Sequence, residues 1–255
     1  MTPNKHEILV EFVSNPILRE ELFLNSTFSG IPISDVLSFR KFLQFNEQEL
    51  LLNPFIHTKK YLSNDEIEKI SRIYFRKYGL HREMYTKKVK LYGLILWKYL
   101  LRSKKPFWLI DIAKYEFIMF SQLWNDDYNH NDFIEPQKNI SGQYLTSNLC
   151  RLGKFCFDIE AYIENPGDAK YLFNHKINKY IAFIGCSESL SVRTKSIDKI
   201  TYSLIKFCVQ SKSMREINKF LKNQLSLADK ESINISHCLV SLLGNWNILI
   251  KPYSS

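Results

Sequence analysis

The sequence predicts an α+β protein in which an all-α helical bundle precedes a β-β-β-α-α-α domain, and three observations carry that prediction. Apolar residues recur at three- and four-residue steps through residues 1–124, the period of helices with one buried face. Beyond residue 150 the period falls to two, as in half-buried strands. Three helical runs with capping residues then close the chain. At 255 residues the chain exceeds one typical domain, which suits a division into 1–124, a linker at 125–150, and 151–255.

In residues 5–25, Ile8, Leu9, Phe12, Val13, Ile17, Leu18 and Leu22 fall on one helical face. Asn15-Pro16 divides the stretch, because the residue before proline is driven out of the α region. A second helix over 34–51 has Ser34 as candidate cap and is expected to bury Val36, Leu37, Phe39, Phe42 and Leu43. Pro54 ends it. Ser63 and Glu66 form a capping box that starts a helix through Ile67, Ile70, Ile73 and Tyr74, which Gly79 closes. The next helix, over 84–101, presents Val89, Tyr92, Leu96, Trp97 and Leu100 on one face. Residues 108–123 are apolar on most sides and read as the central helix of the bundle.

Residues 125–148 are polar and acidic, with Pro136 and Gly142, and read as an interdomain segment. Residues 155–163 (FCFDIEAYI) and 179–186 (KYIAFIGC) look like strands, with a turn at Pro166-Gly167 between them. A third run, 190–194 (LSVRT), alternates as a half-buried strand does. Helices follow at 197–209, at 214–225 with Ser213 as cap, and at 233–243, ended by Gly244; an extended tail covers 246–250.

Composition narrows the class. Hydrophobic residues make up 45% of the chain, with 8 Gly and 8 Pro, so extended disorder and fibrous repeats are excluded. No run reaches the roughly 18–20 apolar residues of a membrane span, and the first residues lack the apolar core of a signal peptide. A soluble, cytoplasmic protein is expected. The 5 cysteines form no C-x-x-C pair and read as small buried hydrophobes rather than as disulfides or zinc ligands. Net charge is +9, unevenly placed: residues 59–114 hold 15 Lys and Arg against 5 Asp and Glu, and residues 179–255 hold 11 against 5. Such clustering suits an anionic partner, and equally a set of solvated helix faces.

No GxGxxG, Walker, HExxH or GxSxG motif occurs, which favours a binding protein over an enzyme. His57, His81, His130, His175 and His237 are scattered. Asp126, Asp127 and Asp132 lack the glycine and closing glutamate of a calcium loop. Asp111 and Glu116 stand on a largely apolar helix, where a carboxylate needs partners; pairing with arginines of the bundle is the expectation, and acid or base work in a standalone enzyme is the alternative. The C-terminal order is winged-helix-like and supports two kinds of ligand. A nucleic-acid reader would present Arg and Lys to base edges, but residues 233–243 contain neither. A peptide reader would accept an extended chain along its third strand and rest it on its third helix. Leu190, Val192, Arg193 and Thr194 on the strand and Ile235, Cys238, Leu239 and Leu242 on the helix suit that geometry, and an edge strand covered by the protein itself fits the same spacing equally.

The stretch 106–120 (PFWLIDIAKYEFIMF), in which a proline and an apolar pair precede Asp-x-Ala-x-x-Glu, resembles the partner proteins of multinuclear non-haem iron-dependent oxidases that modify ribosomally made peptides, the HvfC, BufC, TglI and ChrI type. Asp111, Ala113 and Glu116 take the motif positions. Residues 62–75 with Thr58 resemble that family's paired helices, and residues 155–250 are similar in order to its PqqD-like peptide-recognition element. The tyrosine-and-asparagine motif common near the start of family members is not evident in residues 1–50. The resemblance implies a non-catalytic accessory subunit that forms a heterodimer with the oxidase through the helical domain, with Asp111 and Glu116 at the docking region. It also implies that the leader of a precursor peptide is the ligand, that this chain carries no cofactor, and that iron ions reside in the partner enzyme. A basic winged-helix nucleic-acid-binding protein is the alternative, on an isoelectric point near 9.2.

Overall fold

The computed structural model describes residues 33–79, 84–123, 142–164, 176–186 and 191–251. The chain divides into two compact units, Met1–Phe117 and Ile118–Ser255. Helices come first and two small antiparallel sheets lie in the second unit, so the class is mixed helix and sheet. The expected helices of 5–25, the turn at Pro166-Gly167 and Leu190 lie outside the described residues.

In the first unit, α1 (Ile33–Leu52) passes through a 3-10 turn at Asn53–Phe55, set by Pro54, into the single turn α2 (Ile56–Lys59). Ser34 lies inside α1 rather than capping it, its carbonyl accepting from the Ser38 hydroxyl at 2.8 Å. Phe39 and Phe42, expected in the core, are 47% and 58% exposed. The period of α1 defines an apolar face, but among its described side chains only those of the last turn, Leu51 and Leu52, are fully buried.

The capping box of α3 (Asn64–Tyr78) is present: Glu66 N donates to Ser63 Oγ at 3.3 Å and Ser63 N donates to the Glu66 carboxylate at 3.1 Å. Gly79 closes the helix at φ 65°. Helix α4 (Tyr85–Arg102) buries Val89, Tyr92, Gly93, Leu96 and Leu100. Gly93 is needed for close approach: a Cβ there would lie 2.5 Å from the Phe117 ring and 2.8 Å from the Phe55 ring. Phe117 belongs to α5 (Phe107–Leu123), whose Leu109, Ile112 and Ala113 are buried as its all-round apolar sequence requires.

The second unit starts earlier than residue 151. Strand β1 (Gln143–Thr146) forms within the expected linker, because partners distant in sequence hold it. Thr146 N donates to the Cys208 carbonyl at 2.8 Å and Thr146 Oγ1 to that of Ile205 at 2.7 Å. The next strand, β2 (Cys150–Phe155), ends where the sequence reading began one. Residues expected as strand to 163 fold instead into helix α6 (Ile159–Glu164), initiated by the Asp158 carboxylate accepting from Ala161 N at 3.3 Å. Ile159 and Tyr162, three apart, are the residues it buries.

Strands β3 (Lys179–Cys186) and β4 (Ser191–Ile197) complete an antiparallel sheet of order β2-β3-β4. Helix α7 (Lys199–Phe207) follows, capped by Asp198, which accepts from Ile200 N at 2.7 Å and Thr201 N at 2.9 Å. Then come the two-residue β5 (Lys212–Ser213), α8 (Met214–Leu225) with Ser213 and Glu216 as its capping box, α9 (Asp229–Asn245) and β6 (Leu249–Ile250). β5 and β6 flank β1 in the second sheet.

Helix α9 begins four residues before the expected 233 and runs through Gly244. The left-handed residue that stops it is Asn247, at φ 57°. Ile248 N reaches the Leu243 carbonyl and Asn247 N that of Gly244, both at 2.9 Å, the hydrogen-bond pair of a Schellman ending with Asn in place of Gly. One core joins these elements: Ala182 and Ile184 of β3 meet Leu204 and Ile205 of α7, Ile217 and Leu221 of α8, and Val240 and Leu243 of α9. No helix among the described residues is long and apolar enough to cross a membrane.

Candidate functional site

Strand β4 is an outer strand of its sheet. Among the described residues it pairs with β3 alone, while the C-terminal strand β6 pairs with β1. Alternate residues of such a strand turn N–H and C=O groups outward, a row able to accept another extended chain. The register fixes which side chains face where, since directly opposed residues share a face. Arg193 and Lys195 stand opposite Ile184 and Ala182, on the side carrying the helical core. Val192 and Thr194 stand opposite Gly185 and Phe183, on the other side. The strand residues predicted from sequence are therefore split: Arg193 faces the helices and Val192 and Thr194 do not.

On α9 the buried row is Ser232, Ser236, Val240 and Leu243. Beside it run Ile235 and Leu239, half-buried, with Cys238 exposed and Leu242 41% exposed. With Trp246, just past the helix end, these recur at three- and four-residue steps and form one apolar stripe. The four predicted helix residues thus lie together. The stripe ends on the ring that β4 reaches: the Lys195 ammonium sits 5.5 Å from the Trp246 ring centroid. Sequence reasoning missed Lys195 and Trp246. The signal for both was present, in the continuation of the Arg193 alternation and in the step of four from Leu242.

Charge at this margin is one-sided. Arg193 and Lys195 are exposed, and among the described residues neither has an ion-pair partner. An acidic group bonded to β4, Glu160, is on the opposite face, where its carboxylate accepts from Ser196 Oγ at 2.6 Å and pairs with Lys179 at 3.4 Å.

Asp111 and Glu116 are buried, so neither side chain forms part of an open docking surface. Glu116 is held by the α2 turn and not by an arginine. Its carboxylate accepts from His57 N at 2.7 Å, Thr58 N at 3.1 Å and Thr58 Oγ1 at 2.6 Å. Burial nevertheless pushes its pKa up to about 7 against the pull of those donors. The arrangement ties residues 57–58 to α5, and its chemistry is that of a structural clasp.

Cysteines divide by environment. Cys150 and Cys208 are buried as expected, and burial pushes their thiols up to about 12 and about 11. Cys156 and Cys238 are exposed, against the expectation of uniform burial: Cys156 lies in the bend after β2, and Cys238 is off the buried row of α9. Among the described residues no three His, Cys, Asp or Glu side chains converge as a metal-binding group. No family model matches this sequence, and no curated protein is significantly similar to it.

Proposed function

We propose that this chain is a non-catalytic partner protein whose second unit, a winged-helix-like peptide-recognition element, holds the leader of a ribosomally made precursor peptide for a separate iron-dependent oxidase. The observation that carries the reading is that β4, paired with β3 alone among the described residues, meets the end of the apolar stripe of α9 where Lys195 lies over Trp246. An extended peptide added to β4 gains main-chain hydrogen bonds, and its side chains on the helical side come to rest on Ile235, Cys238, Leu239 and Leu242. This chain's contribution is effective concentration: a tethered leader makes delivery of the modifiable segment nearly intramolecular, at roughly millimolar local concentration for a short linker. Iron and oxygen chemistry belong to the partner enzyme. The buried position of Glu116 gives it a supporting role, keeping the α2 turn on α5, and Asp111 is buried on the same helix.

The test first reads the genes beside this one, where an iron-dependent oxidase and a short precursor peptide are expected, and then uses the full chain with that peptide. Exposed Cys238 lies on the proposed floor and exposed Cys156 does not, so maleimide labelling contains its own reference. Bound peptide is expected to slow labelling of Cys238 and leave Cys156 unchanged, and the complex is expected to co-purify with the neighbouring oxidase. Equal labelling of both thiols with peptide bound would place the site elsewhere. The nucleic-acid alternative predicts binding of duplex DNA that weakens steeply with salt, through counterion release.

A further inference from the structure

The β4 margin carries information about its ligand beyond strand shape. Arg193 and Lys195 are two residues apart, point to the α9 side and are exposed without an ionic partner among the described residues. Lys195 is also held in place, its ammonium over the Trp246 ring that ends the apolar stripe. A chain laid along β4 places its own alternate residues beside these two cations, because neighbouring strands share a face at opposed positions. The apolar stripe of Ile235, Leu239 and Leu242 runs along α9 to that same ring.

Resting on the peptide-binding reading above, we infer that the ligand strand is acidic and apolar on its helix-facing side, with carboxylates two residues apart set against Arg193 and Lys195 and apolar side chains on the α9 stripe. The cations select sign and register. The stripe supplies most of the affinity, since exposed ion pairs are individually weak. The Trp246 ring restricts where the Lys195 charge sits, so one of the two carboxylate positions is better defined than a free lysine would make it. This ligand class also matches the surplus of 11 basic over 5 acidic residues in 179–255.

The experiment is selection from a displayed library of random nine-residue peptides on the immobilised full chain, run in parallel with the variant Arg193→Glu/Lys195→Glu. Both positions are exposed on a strand edge, and circular dichroism checks that the variant folds; Arg193→Gln/Lys195→Gln replaces it if it does not. Peptides enriched on the wild type are expected to carry Asp or Glu at two positions separated by one residue, among apolar residues. On the charge-reversed variant the preference is expected to invert to Lys or Arg. A wild-type winner is expected to bind the variant roughly tenfold more weakly, the sum of two exposed pairs. Trp246→Leu, which keeps an apolar side chain, is expected to blur the preference at one of the two positions only. Enrichment of apolar peptides with no acidic preference, or with a preference unmoved by charge reversal, overturns the inference and leaves strand capture standing. No enrichment over bare resin overturns both.

Discussion

The clasp on Glu116 makes a prediction in which the sign is decided by two opposing effects. Three donors favour the ionised carboxylate, and burial opposes it; burial wins, with the pKa near 7 against an ordinary 4.5. A group whose folded pKa is raised adds stability that is complete below the unfolded value and lost as pH rises through the folded value. For Glu116 the window is therefore about pH 4.5 to 7, and between pH 5 and 8 the loss is about 2 to 3 kcal/mol. His57, next to the clasp, runs the other way: burial lowers its pKa, so its contribution grows as pH rises toward 6.5. The informative quantity is thus the difference between wild type and Glu116→Gln, in which His57 and all other groups cancel. Hydrogen–deuterium exchange of α5 amides, corrected for the intrinsic pH dependence of exchange, reports it locally. Wild type is expected to match or exceed the variant at pH 5 and to lose about 2 to 3 kcal/mol relative to it by pH 8. A wild-type advantage that grows with pH would show that the donors from His57 and Thr58 outweigh burial, and the argument would be refuted.

Other outcomes follow from individual contacts. Gly93→Ala drives a methyl to 2.5 Å from the Phe117 ring and 2.8 Å from Phe55, both in a packed interior, and is expected to cost about 1 to 3 kcal/mol, read as a lower urea midpoint of the helical unit. Asp198→Ala removes the cap of α7, with its bonds to Ile200 N and Thr201 N, and is expected to cost about 1 to 2 kcal/mol at neutral pH. Those hydrogen bonds outweigh burial and hold the Asp198 pKa below its usual value, so the wild-type advantage should disappear as pH falls through that lowered pKa, which acid titration of both proteins checks. Leu242→Asp places a charge on the α9 stripe at a position already 41% exposed, so thermal stability should hardly move while anisotropy shows leader binding weakened roughly tenfold.

The parts of the fold that sequence disclosed are those fixed by local chemistry. Both capping boxes, Ser63 with Glu66 and Ser213 with Glu216, start their helices where the hydroxyl and carboxylate spacing requires. Strand β3 is a continuous apolar run bounded by polar residues, and it is buried on both faces. The misplaced elements lack such local signals. In α6 the order Phe-Asp-Ile-Glu-Ala-Tyr-Ile alternates like a strand, yet Asp158 initiates a helix. Strands β1, β5 and β6 are four residues or fewer, and their partners lie more than sixty residues away, so nothing near them in sequence marks them. The partner of Glu116 was unreadable for the same reason: Thr58 is 58 residues distant, and a threonine beside a histidine carries no motif. The candidate site fell between these cases. The stripe of α9 follows from helical spacing alone, whereas the sides taken by Val192, Arg193 and Thr194 depend on a register that only pairing with β3 defines.

Arg193 and Lys195 have a simpler explanation that must be met directly, because charged side chains on an edge strand commonly keep two sheets from joining. That role needs charge and no ligand: lysine is common in it, and acidic side chains also serve. It also gives no reason for α9 to leave Leu242 41% exposed in line with Ile235 and Leu239. Ligand pairing demands both features together, a fixed sign on the strand and an apolar floor next to it. The Lys195 contact with Trp246 separates the two accounts further, since edge protection works best with a charge free in solvent, and here the ammonium is drawn over the ring that terminates the floor. Charge reversal therefore divides them cleanly. If the variant stays monomeric and its selected peptides change sign, the cations address a ligand; if it stays monomeric and selection is unaltered, they guard an edge.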